Sequence, residues 1–174
     1  MKYQMFITEV FKGHISLPLN ITNDYNQWAA FEKTLDPLGL SASTTIRGWQ
    51  YAFGTAKTVP AWLELLMPNI NEIKADINYS SIKSMWTVDY EVGGFQDAHF
   101  HQPGNNLYTI VINLSGHGEL ILFDPRQLAT AHGESISKIE ILNPGDWIAL
   151  PSWLVHGTRP SLNRRSILVM DVNK

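Results

Sequence analysis

The first half of the chain contains apolar residues at helical spacing. Residues 23–40, NDYNQWAAFEKTLDPLGL, combine a capping residue, an apolar stripe and a stop signal, which is the pattern of an amphipathic helix. Asn23 or Asp24 is the expected N-cap. The stripe and the stop are formed by Trp28, Phe31, Leu35, Pro37 and Gly39.

A second helix is predicted over residues 59–77, VPAWLELLMPNINEIKADI. Pro60 suits the first turn, whereas Pro68 is expected to kink or split the helix because it has no backbone N–H. The residues available for one apolar face are Leu63, Leu65, Leu66 and Ile73. Short strand candidates flank the helices at 5–11, MFITEVF, and 44–53, TTIRGWQYAF.

From about residue 84 the pattern changes to short β-rich runs separated by turn residues such as GG, SGHG and NPG. The predicted strands are 84–92, 97–101, 107–114, 119–125, 137–142, 146–150, 153–158 and 164–172. Eight such runs without helical patterns between them predict a mainly β fold, a cupin-like jelly roll or double-stranded β-helix, with the N-terminal helices against the outside of one sheet. We expect one domain, 1–174, with a flank over 1–82 and the jelly-roll core over 83–174.

Composition narrows the function classes. The chain has 174 residues and a formal charge of −3, so it lacks the broad basic surface that typically binds nucleic acid or an anionic membrane. With no cysteine, a metal site must use nitrogen and oxygen ligands. The N-terminal residues have no apolar core of signal-peptide length, and no apolar run reaches membrane-spanning length. We expect a soluble, unprocessed, cytoplasmic protein.

The run GGFQDAHFHQPGN, residues 93–105, carries the first candidate chemistry. Because side chains alternate along a strand, His99 and His101 should share a face. Inside a barrel they form half of a metal site, whereas on an exposed face they are two solvated polar residues. His156, in NPGDWIALPSWLVHGT, adds a third nitrogen donor from a late strand, which suits a facial site for non-haem iron or a related divalent metal.

One alternative ligand stays open. Asp97 is expected on the same face as His99 and His101, and it can replace one of them. The three remaining histidines, His14, His117 and His132, lie singly in polar or turn-like contexts and are interpreted as surface residues.

Arg165 opens the last strand, nine residues after His156. Arginine binds carboxylates in two-point geometry, and a lone charge at the mouth of an apolar strand requires an anionic partner. The alternative is a strand-edge ion pair with a surface acid. The neighbouring Arg164 should face away.

These motifs together resemble the Fe(II)- and 2-oxoglutarate-dependent oxygenase superfamily. The chain is most similar to a prolyl-hydroxylase-like subgroup, through HFHQP, GEL, FDPR, NPGD, PSWLVH and RRSILVMDV, with TIRGWQ upstream. The match is good over 93–172 and loose over 45–172. PSWLVHGT with the following arginine is the specific part, and His-x-His alone is weak. Gln102 before Pro103 and the doubled arginine depart from the pattern.

The resemblance implies that His99, His101 and His156 bind Fe(II), and that Arg165 binds the distal carboxylate of 2-oxoglutarate. Tyr108 is a second candidate contact to the cosubstrate. The implied activity is a dioxygenase that hydroxylates a C–H bond and releases succinate and CO2. The superfamily's usual motif is His-x-Asp, so His101 stands where a carboxylate is expected. A neutral imidazole there leaves the metal more positive by about one charge.

Trp147 and Trp153 flank the second motif, where they either shape the pocket or fill core. Two other functions remain open: a cupin-type three-histidine metalloenzyme that does not use 2-oxoglutarate, and a non-catalytic jelly-roll binding module. The expected substrate is a small molecule or a protein side chain; substrate identity and oligomeric state are not encoded in these patterns.

Overall fold

A computed structural model describes residues 8–39, 45–54, 59–101, 107–124 and 137–173. Two α-helices and nine β-strands are formed within these ranges. The helices are α1 (Ile21–Leu35) and α2 (Ala61–Ile77). The strands are β1 (Phe11–His14), β2 (Thr45–Ala52), β3 (Ser81–Gln96), β4 (Leu107–Ser115), β5 (Gly118–Phe123), β6 (Ser137–Leu142), β7 (Asp146–Pro151), β8 (His156–Thr158) and β9 (Arg165–Asn173).

The strands form two antiparallel sheets. The major sheet has the order β1-β7-β4-β9-β3-β2, and the minor sheet has the order β6-β5-β8. One apolar core fills the space between the two sheets, and a second lies between the major sheet and the helices. The predicted mainly β jelly roll with flanking N-terminal helices is therefore confirmed.

Strand β9 shows how the sequence builds these layers. Ile167 and Val169 belong to the core between the sheets, while Leu168 and Met170 belong to the core under the helices. Because both faces of the strand are covered, it is a continuous apolar run rather than an alternation of apolar and polar residues. Arg165 precedes this run on the inner face.

The predicted helices exist, but their details differ. Helix α1 begins at Ile21 after Asn20, so Asn23 and Asp24 are not its N-cap. Its buried stripe is Ile21, Tyr25 and Ala29, whereas Phe31 and Leu35 are exposed and Trp28 is only partly buried. The helix starts earlier than predicted, and burial against the sheet selects this stripe.

Helix α2 begins directly after Pro60 and continues past Pro68, so it is not split. Leu63, Leu66 and Ile73 are buried as predicted, but Leu65 is exposed. Pro68 is tolerated within α2 because the buried residues around it hold the helix against the core. Among the described residues, neither helix has the length and apolarity required to cross a bilayer.

Seven of the eight runs predicted after residue 84 form strands. The exception is 97–101, which makes a single β-bridge between His99 and His156. The run 153–158 forms a strand only from His156. The NPG prediction corresponds to a tight turn, in which Asp146 N–H donates to Asn143 O (2.9 Å) and Gly145 has φ +89°, a conformation that favours glycine.

The N-terminal strands add to the major sheet rather than lying outside it. Strand β1 pairs with β7, and β2 pairs with β3. Strand β2 lies within the predicted range 44–53. Of the candidate 5–11, residues 5–7 lie outside the described part, and only Phe11 belongs to a strand.

The contact between α2 and the sheet predicts a large loss of stability for Ile70→Ala. Ile70 is fully buried in the core under the helices. Removal of its side chain leaves a cavity and should lower the free energy of unfolding by about 2–5 kcal/mol. Leu65→Ala, on the exposed side of the same helix, is the control and should cost less than about 1 kcal/mol. Urea denaturation measures both, and equal losses would contradict this packing.

Candidate metal and carboxylate site

Main-chain hydrogen bonds hold the two histidine-bearing segments side by side. His99 N–H donates to His156 O, and His156 N–H donates to His99 O, each at 2.9 Å. Two residues after His99, His101 N–H donates to Ser152 O at 2.8 Å. Thus the segment around His99, although not a strand, runs antiparallel to the start of β8 and brings its histidines to His156.

The turn before β8 orients His156. Leu154 N–H donates to Pro151 O at 2.8 Å, and the Leu154 side chain is buried between the sheets. This anchored turn presents the Leu154 carbonyl oxygen to His156 Nδ1 at 2.8 Å. The PSWLVH motif therefore combines a turn, an apolar anchor and a histidine whose ring is fixed by the anchor's own carbonyl group.

The three imidazoles form a cluster. One potential ligand atom from each of His99, His101 and His156 lies within 4.8 Å of the other two. The ring centroids are 4.4 Å apart for His99 and His156, 5.2 Å for His101 and His156, and 5.4 Å for His99 and His101. Metal–nitrogen bonds of about 2.0–2.1 Å require only small ring movements for all three to reach one ion.

The hydrogen bonds at Nδ1 assign the free nitrogen of each ring. His99 Nδ1 lies 2.8 Å from Asp97 O, as His156 Nδ1 does from Leu154 O. A carbonyl oxygen only accepts, so Nδ1 donates and the neutral ring keeps its lone pair on Nε2. This is the tautomer that a metal ligand needs.

Burial favours the neutral form of His99 and His156. It lowers the pKa of His156 to about 3, with smaller contributions from His99 and His101. Burial also lowers the pKa of His99. Neutral imidazoles are the form that binds divalent cations, so the environment favours ligation at neutral pH.

His101 has a different partner. Its Nδ1 donates to Asp171 Oδ1 at 2.8 Å, and Thr109 Oγ1 donates to the same oxygen at 2.8 Å. Ser84 Oγ donates to Asp171 Oδ2 at 3.2 Å. Burial alone raises the pKa of the Asp171 carboxyl, but these hydrogen bonds and the His101 ring outweigh it and hold the pKa below its ordinary value. A carboxylate therefore stands directly behind the third imidazole.

Arg165 is buried in the same region, with 1% of its surface exposed. Its Nε donates to Asn113 Oδ1 at 2.9 Å, and Asn113 Nδ2 donates to Gly116 O at 2.7 Å. Its terminal nitrogens, Nη1 and Nη2, have no hydrogen-bond partner among the residues that the structure describes. Burial lowers the pKa of the guanidinium, and no carboxylate of the described residues pairs with it.

Space for the guanidinium depends on Gly118, at the start of β5. A Cβ atom added there would lie 2.1 Å from Arg165 Nη1. The glycine therefore lets a residue of the major sheet extend its side chain against the minor sheet. Because an isolated buried charge costs several kcal/mol, the two unpartnered nitrogens make Arg165 a candidate anion-binding residue.

The histidine cluster and Arg165 line one small cleft that is partly open to solvent. The other lining residues are mostly apolar or aromatic, with three polar groups. They are Trp86, Tyr90, Gln96, Val111, Leu120, Thr158, Ile167 and Val169. Such a cleft suits a small ligand with a carboxylate at one end and metal-binding oxygen atoms at the other.

The other candidates from the sequence lie elsewhere. Arg164 is exposed and donates to Asp89 Oδ2 at 3.2 Å. Asp97 is exposed, and its main-chain oxygen, rather than its carboxylate, contacts His99. Tyr108 is on the helix-facing side of β4, where its ring packs against Phe11 at 5.8 Å, so the structure does not bring it to the cleft.

A different tyrosine lies in the cleft. Tyr90 is buried, and its hydroxyl group donates to Gln96 Oε1 at 3.1 Å. Burial raises its pKa to about 12, while Arg165 opposes this effect. Tyr90 and Asp171 were not identified from the sequence, although alternation along β3 and β9 places them on the inner face with Val88 and Arg165.

Neither predicted tryptophan shapes the cleft. Trp147 belongs to the core under the helices, and Trp153 is exposed. Trp86 is the tryptophan in the cleft, with its ring centroid 5.3 Å from that of His101. His14 and His117 are exposed, as predicted, and His132, Gln102, Pro103 and the PR of FDPR lie outside the described residues.

Comparison with solved structures shows a shared fold. A prolyl-4-hydroxylase from Pseudomonas putida matches with a TM-score of 0.66 and 11% identity, over 95% of this chain and 92% of its own. A prolyl hydroxylase from Trichoplax adhaerens, in complex with a hypoxia inducible factor oxygen degradation domain peptide fragment, matches with a TM-score of 0.66 and 10% identity, over 94% of this chain and 83% of its own. HygX from Streptomyces hygroscopicus, with nickel and 2-oxoglutarate bound, matches with a TM-score of 0.64 and 13% identity, over 95% of this chain and 82% of its own.

This chain has the fold of those proteins over nearly its whole length. No family model and no curated protein matches its sequence. At identities of 10–13%, the similarity establishes the architecture but does not transfer individual residues. The chemistry must be inferred from the cleft itself.

The buried neutral His156 predicts acid destabilisation of the metal-free protein. Its pKa rises from about 3 in the folded chain to the ordinary 6.5 on unfolding. Below pH 6.5 the unfolded chain therefore binds a proton that the folded chain excludes. As the pH decreases below 6.5, the contribution of His156 to the free energy of unfolding falls by up to about 1.4 kcal/mol per pH unit until the pH nears 3.

Chemical denaturation of chelator-treated protein between pH 7 and pH 4 measures this effect. His156→Gln should have a shallower pH dependence than the parent chain, whereas His117→Gln, at an exposed site, should follow the parent. Identical slopes for the parent and His156→Gln would contradict the assignment.

Proposed function

We propose that this protein is an Fe(II)- and 2-oxoglutarate-dependent dioxygenase that hydroxylates a C–H bond. The observation that carries the proposal is the presence, in one cleft, of three clustered imidazoles and a buried arginine with two unpartnered nitrogens. Either feature alone has many interpretations. Together they match a cosubstrate that binds a metal at one end and has a carboxylate at the other.

The donor set fits iron. His99, His101 and His156 would hold Fe(II) through Nε2, since Nδ1 of each ring is already hydrogen-bonded. Three protein ligands would leave room at the metal for the cosubstrate. Bound iron supplies the activation of O2, in which 2-oxoglutarate is decarboxylated and oxidised to succinate.

Arg165 would bind the distal carboxylate of 2-oxoglutarate. Asn113 holds Nε, which aims the remaining nitrogens as a fork for two carboxylate oxygens. Tyr90 and Thr158 are placed to contact the same end of the cleft, since both line it and the pKa of Tyr90 is influenced by Arg165. The apolar residues Val111, Leu120 and Ile167 would exclude water from the ligand.

The overall reaction balances without another reductant. One atom of O2 enters the C–H bond of the substrate to give an alcohol, and the other enters succinate as the 2-oxo acid loses CO2. The four electrons that reduce O2 come from these two oxidations, two from each. A cupin-type enzyme without 2-oxoglutarate would leave the free nitrogens of Arg165 unexplained.

The substrate class remains broad, a small molecule or a protein side chain. One protein of the same fold binds a peptide, which supports the second choice. The formal charge of −3 argues against nucleic acid. We place the enzyme in the cytoplasm, in agreement with the absence of cysteine from the sequence.

Metal binding is tested by thermal melting. Addition of Mn(II), an oxygen-stable substitute for Fe(II), should raise the melting temperature of the parent chain because a ligand that binds only the folded form stabilises it. His99→Ala should lose most of this increase, and His117→Ala should keep it. No increase in the parent chain, with Mn(II) at millimolar concentration, would contradict the metal site.

The cosubstrate site is tested with a neighbouring pair of arginines. Arg165→Gln should weaken 2-oxoglutarate binding to the Mn(II) protein by about 10- to 100-fold, because hydrogen bonds to charged groups are worth about 1.5–3 kcal/mol. Arg164→Gln removes the same charge one residue away and should have little effect. Isothermal titration calorimetry measures both, and anaerobic loading with Fe(II) followed by exposure to O2 should produce succinate. Equal affinity in Arg165→Gln would exclude the assigned cosubstrate site.

A further inference from the structure

The three imidazoles of the cluster are not equivalent. His99 and His156 donate to neutral main-chain carbonyl groups, whereas His101 donates to a carboxylate. Among the described residues, Asp171 is the one whose side-chain carboxylate hydrogen-bonds to the cluster. The ring with the carboxylate partner is His101. In the superfamily that the sequence resembles, a carboxylate ligand usually stands at this position.

The Asp171 carboxylate is held in place by several donors. Thr109 Oγ1 bonds to the same oxygen as His101, and Ser84 Oγ bonds to the other oxygen. Thr109 itself is fully buried and lies 3.2 Å from Ser152 Oγ. Only 17% of the Asp171 side chain is exposed, so water screens its charge weakly. These three donors fix the Asp171 carboxylate beside the His101 ring.

We propose that Asp171 is a positioning residue which acts through His101 to supply the negative charge that a carboxylate ligand would otherwise give the metal. The hydrogen bond fixes the His101 tautomer with Nε2 free, and the charge makes the ring a stronger electron donor. The pair therefore behaves as an extended anionic ligand. This inference rests on the metal site of the proposed function.

The test compares variants that separate charge from hydrogen bonding. Asp171→Asn keeps an oxygen that accepts from His101 Nδ1 but removes the charge. Asp171→Glu keeps the charge. Asp97→Asn is the matched control. It removes a charge two residues before His99 and leaves the main-chain carbonyl group in place.

Mn(II) affinity, measured from the electron paramagnetic resonance signal of free Mn(II), should fall by about 10- to 100-fold in Asp171→Asn. Asp171→Glu should retain more affinity than Asp171→Asn, and Asp97→Asn should stay within about twofold of the parent chain. Melting of the metal-free variants shows whether the fold is intact. If Asp171→Asn does not fold, Asp171→Glu and Thr109→Val, which both keep the charge, are compared with the parent chain. A loss of Mn(II) affinity of more than about tenfold in both would contradict the inference.

The Fe(III)/Fe(II) reduction potential gives a second readout, which a purely structural role would not move in a fixed direction. Loss of the anionic charge should shift it to more positive values, because the more highly charged Fe(III) needs the anionic donor more than Fe(II) does. Unchanged affinity and potential in Asp171→Asn would overturn the inference while leaving the metal site intact. A parent chain that does not bind Mn(II) would overturn the proposed function instead.

Discussion

The site depends on a pair of reciprocal main-chain hydrogen bonds between His99 and His156. Residues 97–101 have no other strand partner than this bridge, and β8 is only three residues long. The two bonds fix the spacing of the segments, and the hydrogen bond at Nδ1 of each ring then sets its orientation. Ser152 extends the pairing by one further bond, which includes His101. Backbone geometry therefore brings the three rings together before any ligand is involved.

The second constraint is the electrostatic cost of Arg165. A fully buried guanidinium with two unpartnered nitrogens is unfavourable in the isolated chain. Gly118 and Asn113 nevertheless keep it extended into the cleft. Folding energy from the two apolar cores offsets this cost, and in the proposed function the carboxylate of the cosubstrate would relieve it. The proposal therefore assigns a carboxylate to one end of the cleft and a cation to the other.

Local sequence features predicted the jelly roll, the proximity of the three histidines and the inward position of Arg165. Turn residues and strand length, on which these predictions depend, are local signals. Tyr108 shows the limit of this reasoning. Strand β4 is buried on both faces, and its inner face differs from the face of Tyr108 only by the polar residues Thr109 and Asn113. The stripe of α1 was mispredicted for a related reason, since tertiary packing rather than propensity selects the buried face.

Asp171 was missed because its partner, His101, is 70 residues away in sequence and the pairing appears only when β9 lies beside β4. The same is true of Tyr90, whose position relative to Arg165 depends on the register of β3 and β9. Strand pairing over long sequence separations is not encoded in any short motif. The residues that tune the site are therefore less visible in the sequence than those that define it.

Both Arg165 and Asp171 belong to β9, six positions apart on one face, in a strand bounded on each side by another strand. An insertion or deletion of one residue between them would rotate one group to the helix side while leaving the other in place. In the proposed site, the separation between the end that would bind the cosubstrate carboxylate and the end that would bind the metal is consequently set by an even number of residues in a single extended segment. A site for a longer or shorter dicarboxylate would have to change this spacing in steps of two, or recruit a basic residue from another strand.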